Sequence, residues 1–126
     1  MERVDCDESV RLENIHYDLD KYDIRPDARP ELDRLVQFLR DNPEVRVELS
    51  SHTDSRASHE YNERLSQNRA NSARQYVISR GIDPSRVISV GYGETRLLNH
   101  CADGVNCSEA EHQLNRRTEM KVICPE

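Results

Sequence analysis

The side chains with the clearest potential for binding chemistry lie between residues 51 and 70. Asp54 follows an apolar, alternating segment, and Arg69 stands well inside the Gly- and Pro-free segment that begins at His59. An acid and a guanidinium that face one pocket without neutralising each other suit a zwitterion. The carboxylate holds an ammonium group, and the planar arginine fork holds a carboxylate. Asp54 and Arg69 are therefore candidate ligand-binding residues.

The same two residues also have an ordinary structural explanation. Asp54 would cap a turn after a strand, and Arg69 would pair with Glu63 or Glu119 on a solvated surface, where an ion pair contributes less than about 1 kcal/mol. Further candidates for the wall of the pocket, each of which would otherwise be a helix cap or a core residue, are Thr53, Asn62, Leu65 and Ser66.

Apolar spacing predicts the elements that position these side chains. Four segments have the pattern of strands: residues 11–19, 44–51, 87–90 and 117–122. Helical spacing predicts one helix from Pro26 to the stop at Asn42-Pro43, and a second from His59 to the natural cap at Gly81. The long polar stretch 94–113 is expected to be a loop.

Strands that alternate with helices of this length favour right-handed crossovers and a sheet that is at least partly parallel. The predicted fold class is therefore α/β, and the predicted architecture is an α+β two-layer sandwich. A mixed four-stranded sheet carries two main helices on one face. We expect residues 1–10 to be an N-terminal extension and residues 11–124 to form the domain.

Composition excludes several classes of protein. A chain of 126 residues has room for one domain. Its net charge of −6 and the lack of any Lys/Arg cluster disfavour nucleic-acid binding. No apolar run is long enough to span a membrane, and residues 1–8 lack the apolar stretch of a signal peptide. If the native protein is exported, this sequence is a piece of it, and any membrane association comes from the missing parts.

Six short motifs resemble the OmpA-like domain that is shared by OmpA C-terminal regions, peptidoglycan-associated lipoproteins and MotB-type stator proteins. They are His-Thr-Asp at 52–54, Tyr-Asn at 61–62, Leu-Ser-x-x-Arg-Ala at 65–70, Gly-Ile-x-x-x-Arg-Val at 81–87, Gly-Tyr-Gly-Glu at 91–94 and Asn-Arg-Arg-x-Glu at 115–119. The resemblance keeps the family's order and covers nearly the whole chain. Ser51 and Ala57 stand where the family usually has glycine, so the loop after Asp54 is expected to differ in detail.

The resemblance implies a non-catalytic domain that binds diaminopimelate in the peptide stem of peptidoglycan, without a cofactor. It places Asp54 and Arg69 at the two positions that grip the ligand, and it adds Asp20 as a candidate beside the pocket. Arg116 and Arg117 would reach a ligand carboxylate or brace the loop that holds Asp54. The implied location is the periplasm of a Gram-negative bacterium, with the protein tethered to the outer membrane.

Two other functions stay open. One is a metal-dependent wall hydrolase that would use His52, Asp54 and His59, and the other is a module that binds only proteins. The sequence also leaves open whether the domain is a monomer or a homodimer.

The four cysteines suggest disulfides. Cys101 and Cys107 would form either a bridge or, with His100 and His112, a zinc site. Their separation favours the bridge in an exported domain, because zinc-binding cysteine pairs usually stand closer together. Cys6 and Cys124, near the two ends of the domain, are expected to form a second bridge. An acidic run around Asp20 lacks the Gly and terminal Glu of a calcium loop, so no metal site is predicted.

Overall fold

The computed structural model describes residues 9–12, 15, 23–102 and 104–123. The strands are β1 (Ser9–Arg11), β2 (Val47–His52), β3 (Val87–Gly93) and β4 (Arg117–Val122). The helices are α1 (Arg29–Asp41), α2 (His59–Ser79) and α3 (Glu109–Gln113). Short 3₁₀ turns, Pro26–Ala28 and Pro84–Arg86, precede α1 and β3. None of the helices in the described part of the chain has the length and apolar composition of a membrane span.

The four strands form one mixed sheet in the order β1-β4-β2-β3. β2 pairs with β3 in parallel, whereas β4 is antiparallel to both β1 and β2. β1 and β2 therefore run in the same direction with β4 between them. The predicted fold class and the partly parallel sheet are confirmed.

The core lies between the sheet and the two main helices. On the inner face, Leu49 of β2 stands opposite Met120 of β4, and both side chains are fully buried. α1 contributes Leu32, Leu35 and Leu39 to this cluster. The apolar stripe that predicts α1 is thus the face that packs on the sheet.

Two glycines of β3 let α2 pack closely on the sheet, which fixes the helix beside the end of β2. A Cβ atom at Gly91 would lie 2.1 Å from the backbone nitrogen of Gln67, so only glycine fits there. The Gly91 amide donates to the Gln67 side chain, and the Gly93 amide donates to the Ser66 hydroxyl, both at 2.9 Å.

Two local predictions differ from the structure. The first described strand is Ser9–Arg11, upstream of most of the strand predicted over residues 11–19, of which 13, 14 and 16–19 lie outside the described residues. The predicted loop 94–113 contains α3, which is held by a capping box between Ser108 and Glu111. The helix is too short for an apolar period to reveal it.

Candidate functional site

A cavity of about 780 Å³ opens where β2 ends and α2 begins. The segment that runs from α3 into β4 forms its far side. Its described lining includes six of the eight predicted ligand-binding residues: Thr53, Asp54, Asn62, Leu65, Arg69 and Arg116. Ser66 is not in the lining, and Asp20 lies outside the described residues.

The carboxylate of Asp54 accepts three hydrogen bonds. Its Oδ1 accepts a hydrogen bond from the Arg56 amide at 3.0 Å, and its Oδ2 accepts from the guanidinium groups of Arg56 at 2.9 Å and Arg116 at 2.7 Å. Burial by itself would raise the pKa of Asp54, but these bonds outweigh burial and lower the pKa to about 2. The carboxylate is therefore ionised at any physiological pH.

Glu109 completes a group of four charges, here termed the charge cluster: Asp54, Arg56, Glu109 and Arg116. The Glu109 carboxylate accepts from Arg56 at 2.8 Å and from Arg116 at 2.5 Å. These hydrogen bonds lower the pKa of Glu109, and the bond from Arg116 has the largest effect. The charge cluster has two positive and two negative members, so it presents no net charge to a ligand.

Arg69 lies in the cavity wall and is only 8% exposed. This placement does not fit an ion pair on a solvated surface. The carboxylate of Glu119, one of the partners considered for Arg69, is occupied by Arg117 at 2.7 Å and lies 3.6 Å from His52.

Thr53 offers an unused hydrogen-bonding group. Its amide donates to the Gly93 carbonyl oxygen at 2.8 Å, which ties the end of β2 to the end of β3. Its hydroxyl is buried and has no hydrogen-bond partner among the described residues. Because a buried hydroxyl without a partner costs free energy, Thr53 is suited to bond a bound molecule.

Asn62 braces the loop that carries Asp54. Its side-chain amide lies 3.1 Å from the Asp54 carbonyl oxygen, 3.3 Å from that of Ala57 and 3.2 Å from the carboxylate of Glu94. The loop is thus fixed from its inner side by the first turn of α2. Asn62 lines the cavity and also sets the loop conformation.

Ser66 and Leu65 are neighbours on α2 with different surroundings. The Ser66 side chain is fully buried, donates to the Glu63 carbonyl oxygen at 2.9 Å and accepts from the Gly93 amide. Leu65 is half-buried and gives the cavity an apolar wall. Ser51, at a usual glycine position, forms a buried hydroxyl pair with Thr118 at 3.2 Å.

The three residues of the hydrolase alternative do not converge on one metal position. His52 Nε2 lies 3.2 Å from the Ser50 hydroxyl, Asp54 is bonded to the two arginines, and His59 Nδ1 lies 3.2 Å from Glu94. Burial, with the nearby charge of Arg117, lowers the pKa of His52 to about 4. His52 is therefore neutral at pH 7.

Cys101 and Cys107 form a disulfide with a Cα–Cα distance of 6.0 Å, which confirms the predicted bridge. The Ser55 hydroxyl donates to the Cys101 carbonyl oxygen at 2.5 Å. The disulfide loop is thereby joined to the loop that carries Asp54. The predicted bridge between Cys6 and Cys124 lies outside the described residues.

Arg56 and Glu109 are the members of the charge cluster that the sequence does not single out. Arg56 lies only two residues from Asp54 in the sequence. A tight turn between them brings the Arg56 guanidinium to the Asp54 carboxylate, and the short separation could have suggested this contact. Glu109 reaches the site only through the fold of residues 94–113. Nothing in its spacing indicates that contact.

Comparison with known proteins identifies the family. A model of the OmpA family matches residues 16–111. Outer membrane porin F of Pseudomonas fluorescens is 39% identical over 114 residues, which cover 90% of this chain and 33% of that protein. Peptidoglycan-associated lipoprotein of Rhizobium meliloti is 35% identical over 95 residues, which cover 75% of this chain and 53% of that protein. The chain thus spans about a third to a half of these two relatives.

A solved structure extends the comparison to the fold. The cell wall anchor of the T6SS from Pseudomonas aeruginosa matches with a TM-score of 0.73 at 25% identity, over 93% of this chain and 80% of that one. The family match covers well over half of the sequence and includes Asp54, Arg69 and both bridged cysteines. The chain belongs to the OmpA family.

Proposed function

We propose that this domain binds the diaminopimelate-containing peptide stem of peptidoglycan without catalysis. By doing so it anchors the longer protein to which it belongs to the cell wall, in the periplasm of a Gram-negative bacterium and at its outer membrane. The observation that carries the proposal is the cavity whose wall holds an ionised, buried Asp54 and a buried Arg69. The names of relatives support it, since one is a peptidoglycan-associated lipoprotein and another a cell wall anchor.

The end of the diaminopimelate side chain carries an ammonium and a carboxylate on one carbon. Asp54 supplies the partner for the ammonium, since its Oδ1 accepts only the Arg56 amide among the described hydrogen bonds and retains accepting capacity. Arg69 supplies a planar pair of donors for the carboxylate. The Thr53 hydroxyl, which has no hydrogen-bond partner in the described part of the chain, provides a third contact.

The charge cluster makes Asp54 usable as an ammonium receptor. Arg56 and Arg116 hold the carboxylate ionised and fix its direction. Glu109 balances the charge of one of these arginines, so the charge cluster itself adds no net positive charge beside Asp54. A rigid acceptor of this kind loses little conformational entropy on binding.

The proposal is tested by retention on purified peptidoglycan sacculi. Asp54→Ala and Arg69→Ala should each lose about tenfold to a hundredfold in affinity, because each leaves one ligand charge without its partner. Arg64→Gln is the matched control, since Arg64 is an exposed arginine of α2 outside the cavity lining. Unchanged retention of the two site variants, with their fold checked by circular dichroism, would contradict the proposal.

The same sacculi separate the alternatives. A binding domain leaves them intact, whereas a metal-dependent hydrolase releases soluble fragments over time and stops when a chelator is added. A module that binds only proteins is not retained by protein-free sacculi. Retention without release of fragments is the result that the proposed function predicts.

A further inference from the structure

Four metal-ligating side chains meet in the disulfide loop, outside the described lining of the cavity: His100, Cys101, Cys107 and Glu111. Their potential ligand atoms all lie within 4.8 Å of one another. His100 Nε2 is 3.8 Å from the Cys107 sulfur and 3.5 Å from Glu111 Oε2. The His112 considered from sequence is not in this group; its place is taken by Glu111.

The backbone around the group is held by contacts that do not depend on the disulfide. The Cys101 amide donates to the Asn99 side chain at 3.1 Å, and the Cys101 carbonyl oxygen accepts from Ser55. Asn115, fully buried, bonds to Asn99 at 2.9 Å. One end of the loop is therefore fixed whether or not the two sulfurs are joined.

Glu111 is oriented by the cap of α3. Its Oε1 accepts from the Ser108 amide at 2.9 Å, which leaves Oε2 on the side of His100. A carboxylate with one oxygen bonded to a backbone amide and the other directed at a histidine is arranged as metal-binding carboxylates are, with an outer partner that fixes the ligand oxygen.

We propose that this group is a latent zinc site that forms when the disulfide is reduced. The two thiolates, His100 Nε2 and Glu111 Oε2 would be the four ligands. Two sulfurs, one imidazole nitrogen and one carboxylate oxygen make up the tetrahedral ligand set that Zn²⁺ accepts in proteins, and thiolates favour zinc over magnesium or calcium. The Cα–Cα distance of 6.0 Å keeps both cysteines within reach of one ion.

A thiol reductant supplies the electrons and protons that reduction of the disulfide requires. Two thiol groups of the reductant, or one dithiol, give two electrons and two protons to the Cys101–Cys107 bond by thiol–disulfide exchange and are themselves joined as a disulfide. The two cysteine thiols so formed then bind Zn²⁺ as thiolates and release two protons. Either the bridge or the metal ties residue 101 to residue 107, so the loop stays closed in both states.

The test measures zinc binding by the whole chain after reduction and removal of the reductant without air. Wild type is compared with Cys101→Ser/Cys107→Ser, so that Cys6 and Cys124 are present equally in both proteins. We expect wild type to bind one more Zn²⁺ than the double variant, and Co²⁺ to give the visible spectrum of a tetrahedral site with thiolate ligands. The oxidised wild type should lack this additional site.

Two single variants keep the test decisive if the double variant folds poorly. His100→Ala and Glu111→Gln retain both cysteines and should each weaken zinc binding by roughly tenfold or more. His59→Ala, which removes an exposed histidine outside the group, should bind zinc as wild type does. The proposal is overturned if the double variant binds as much zinc as reduced wild type, or if neither single variant weakens binding.

Discussion

Arg116 Nη1 lies 2.7 Å from Asp54 Oδ2, although 62 residues separate them in the chain. This contact joins the residue just before β4 to the loop after β2, and both residues line the cavity. Arg116 was predicted either to reach a ligand or to brace the Asp54 loop. The structure shows that it braces Asp54, and its direct contact with a ligand stays a prediction.

Replacing Arg116 should change the titration of Asp54. Arg116→Gln removes one of the hydrogen bonds that lower this pKa, so we expect the pKa to rise from about 2 toward the ordinary value of 3.8. Because the ligand ammonium needs the ionised acid, retention on sacculi should be lost at a higher pH in the variant than in wild type. NMR titration of the Asp54 carboxyl carbon measures the shift, and an unchanged pKa would contradict this role of Arg116.

His52 should make the domain less stable in mild acid. Burial, and after it the charge of Arg117, lowers the pKa of His52 from 6.5 to about 4. The charge of Glu119 raises this pKa, and that of Arg96 lowers it further. The unfolded chain therefore binds more protons between pH 6.5 and 4, and stability falls as the pH decreases through this window.

Urea unfolding at pH 7 and pH 5 measures the effect. The contribution of His52 to the loss of unfolding free energy should be about 1 to 2 kcal/mol. His52→Phe keeps an aromatic ring against Tyr92, with which His52 stacks at 5.3 Å, and removes the titrating group. An equal pH dependence in wild type and variant would show that His52 does not carry it.

The fold was predictable wherever local periodicity decides the structure. α1 and α2 follow from their apolar spacing and from the signals at Asn42 and Gly81, and β2 follows from the alternation before Ser50. The position of β4 between β1 and β2 was not predictable, because strand order depends on contacts between distant segments.

The site was predictable in its two main residues and less so around them. Asp54 follows the end of β2 and Arg69 lies on α2, and both elements border the same cavity. Ser66 and Leu65 lie on the same turn of α2, but the Ser66 hydroxyl accepts a hydrogen bond from Gly93 of β3 and does not line the cavity. The spacing along α2 alone could not distinguish the two positions. The contact between Glu109 and Arg116 depends on the fold of residues 94–113, a segment whose apolar residues follow no regular spacing.

The disulfide should stabilise the domain. A bridge that closes so short a loop contributes about 2 kcal/mol in the chain-entropy model. Cys101→Ser/Cys107→Ser should therefore lower the free energy of unfolding by about this amount. Equal stability of wild type and variant in urea under non-reducing conditions would contradict the structural role of the bridge.

The central claim is that Asp54 and Arg69 grip the zwitterionic end of diaminopimelate. Calorimetry with two matched stem peptides, one with diaminopimelate and one with lysine, tests it most directly, because lysine keeps the ammonium and lacks the carboxylate. The account predicts that wild type binds the diaminopimelate peptide about tenfold or more tightly, and that Arg69→Gln removes the difference. Equal affinity of wild type for the two peptides would contradict the account and make Arg69 a structural residue.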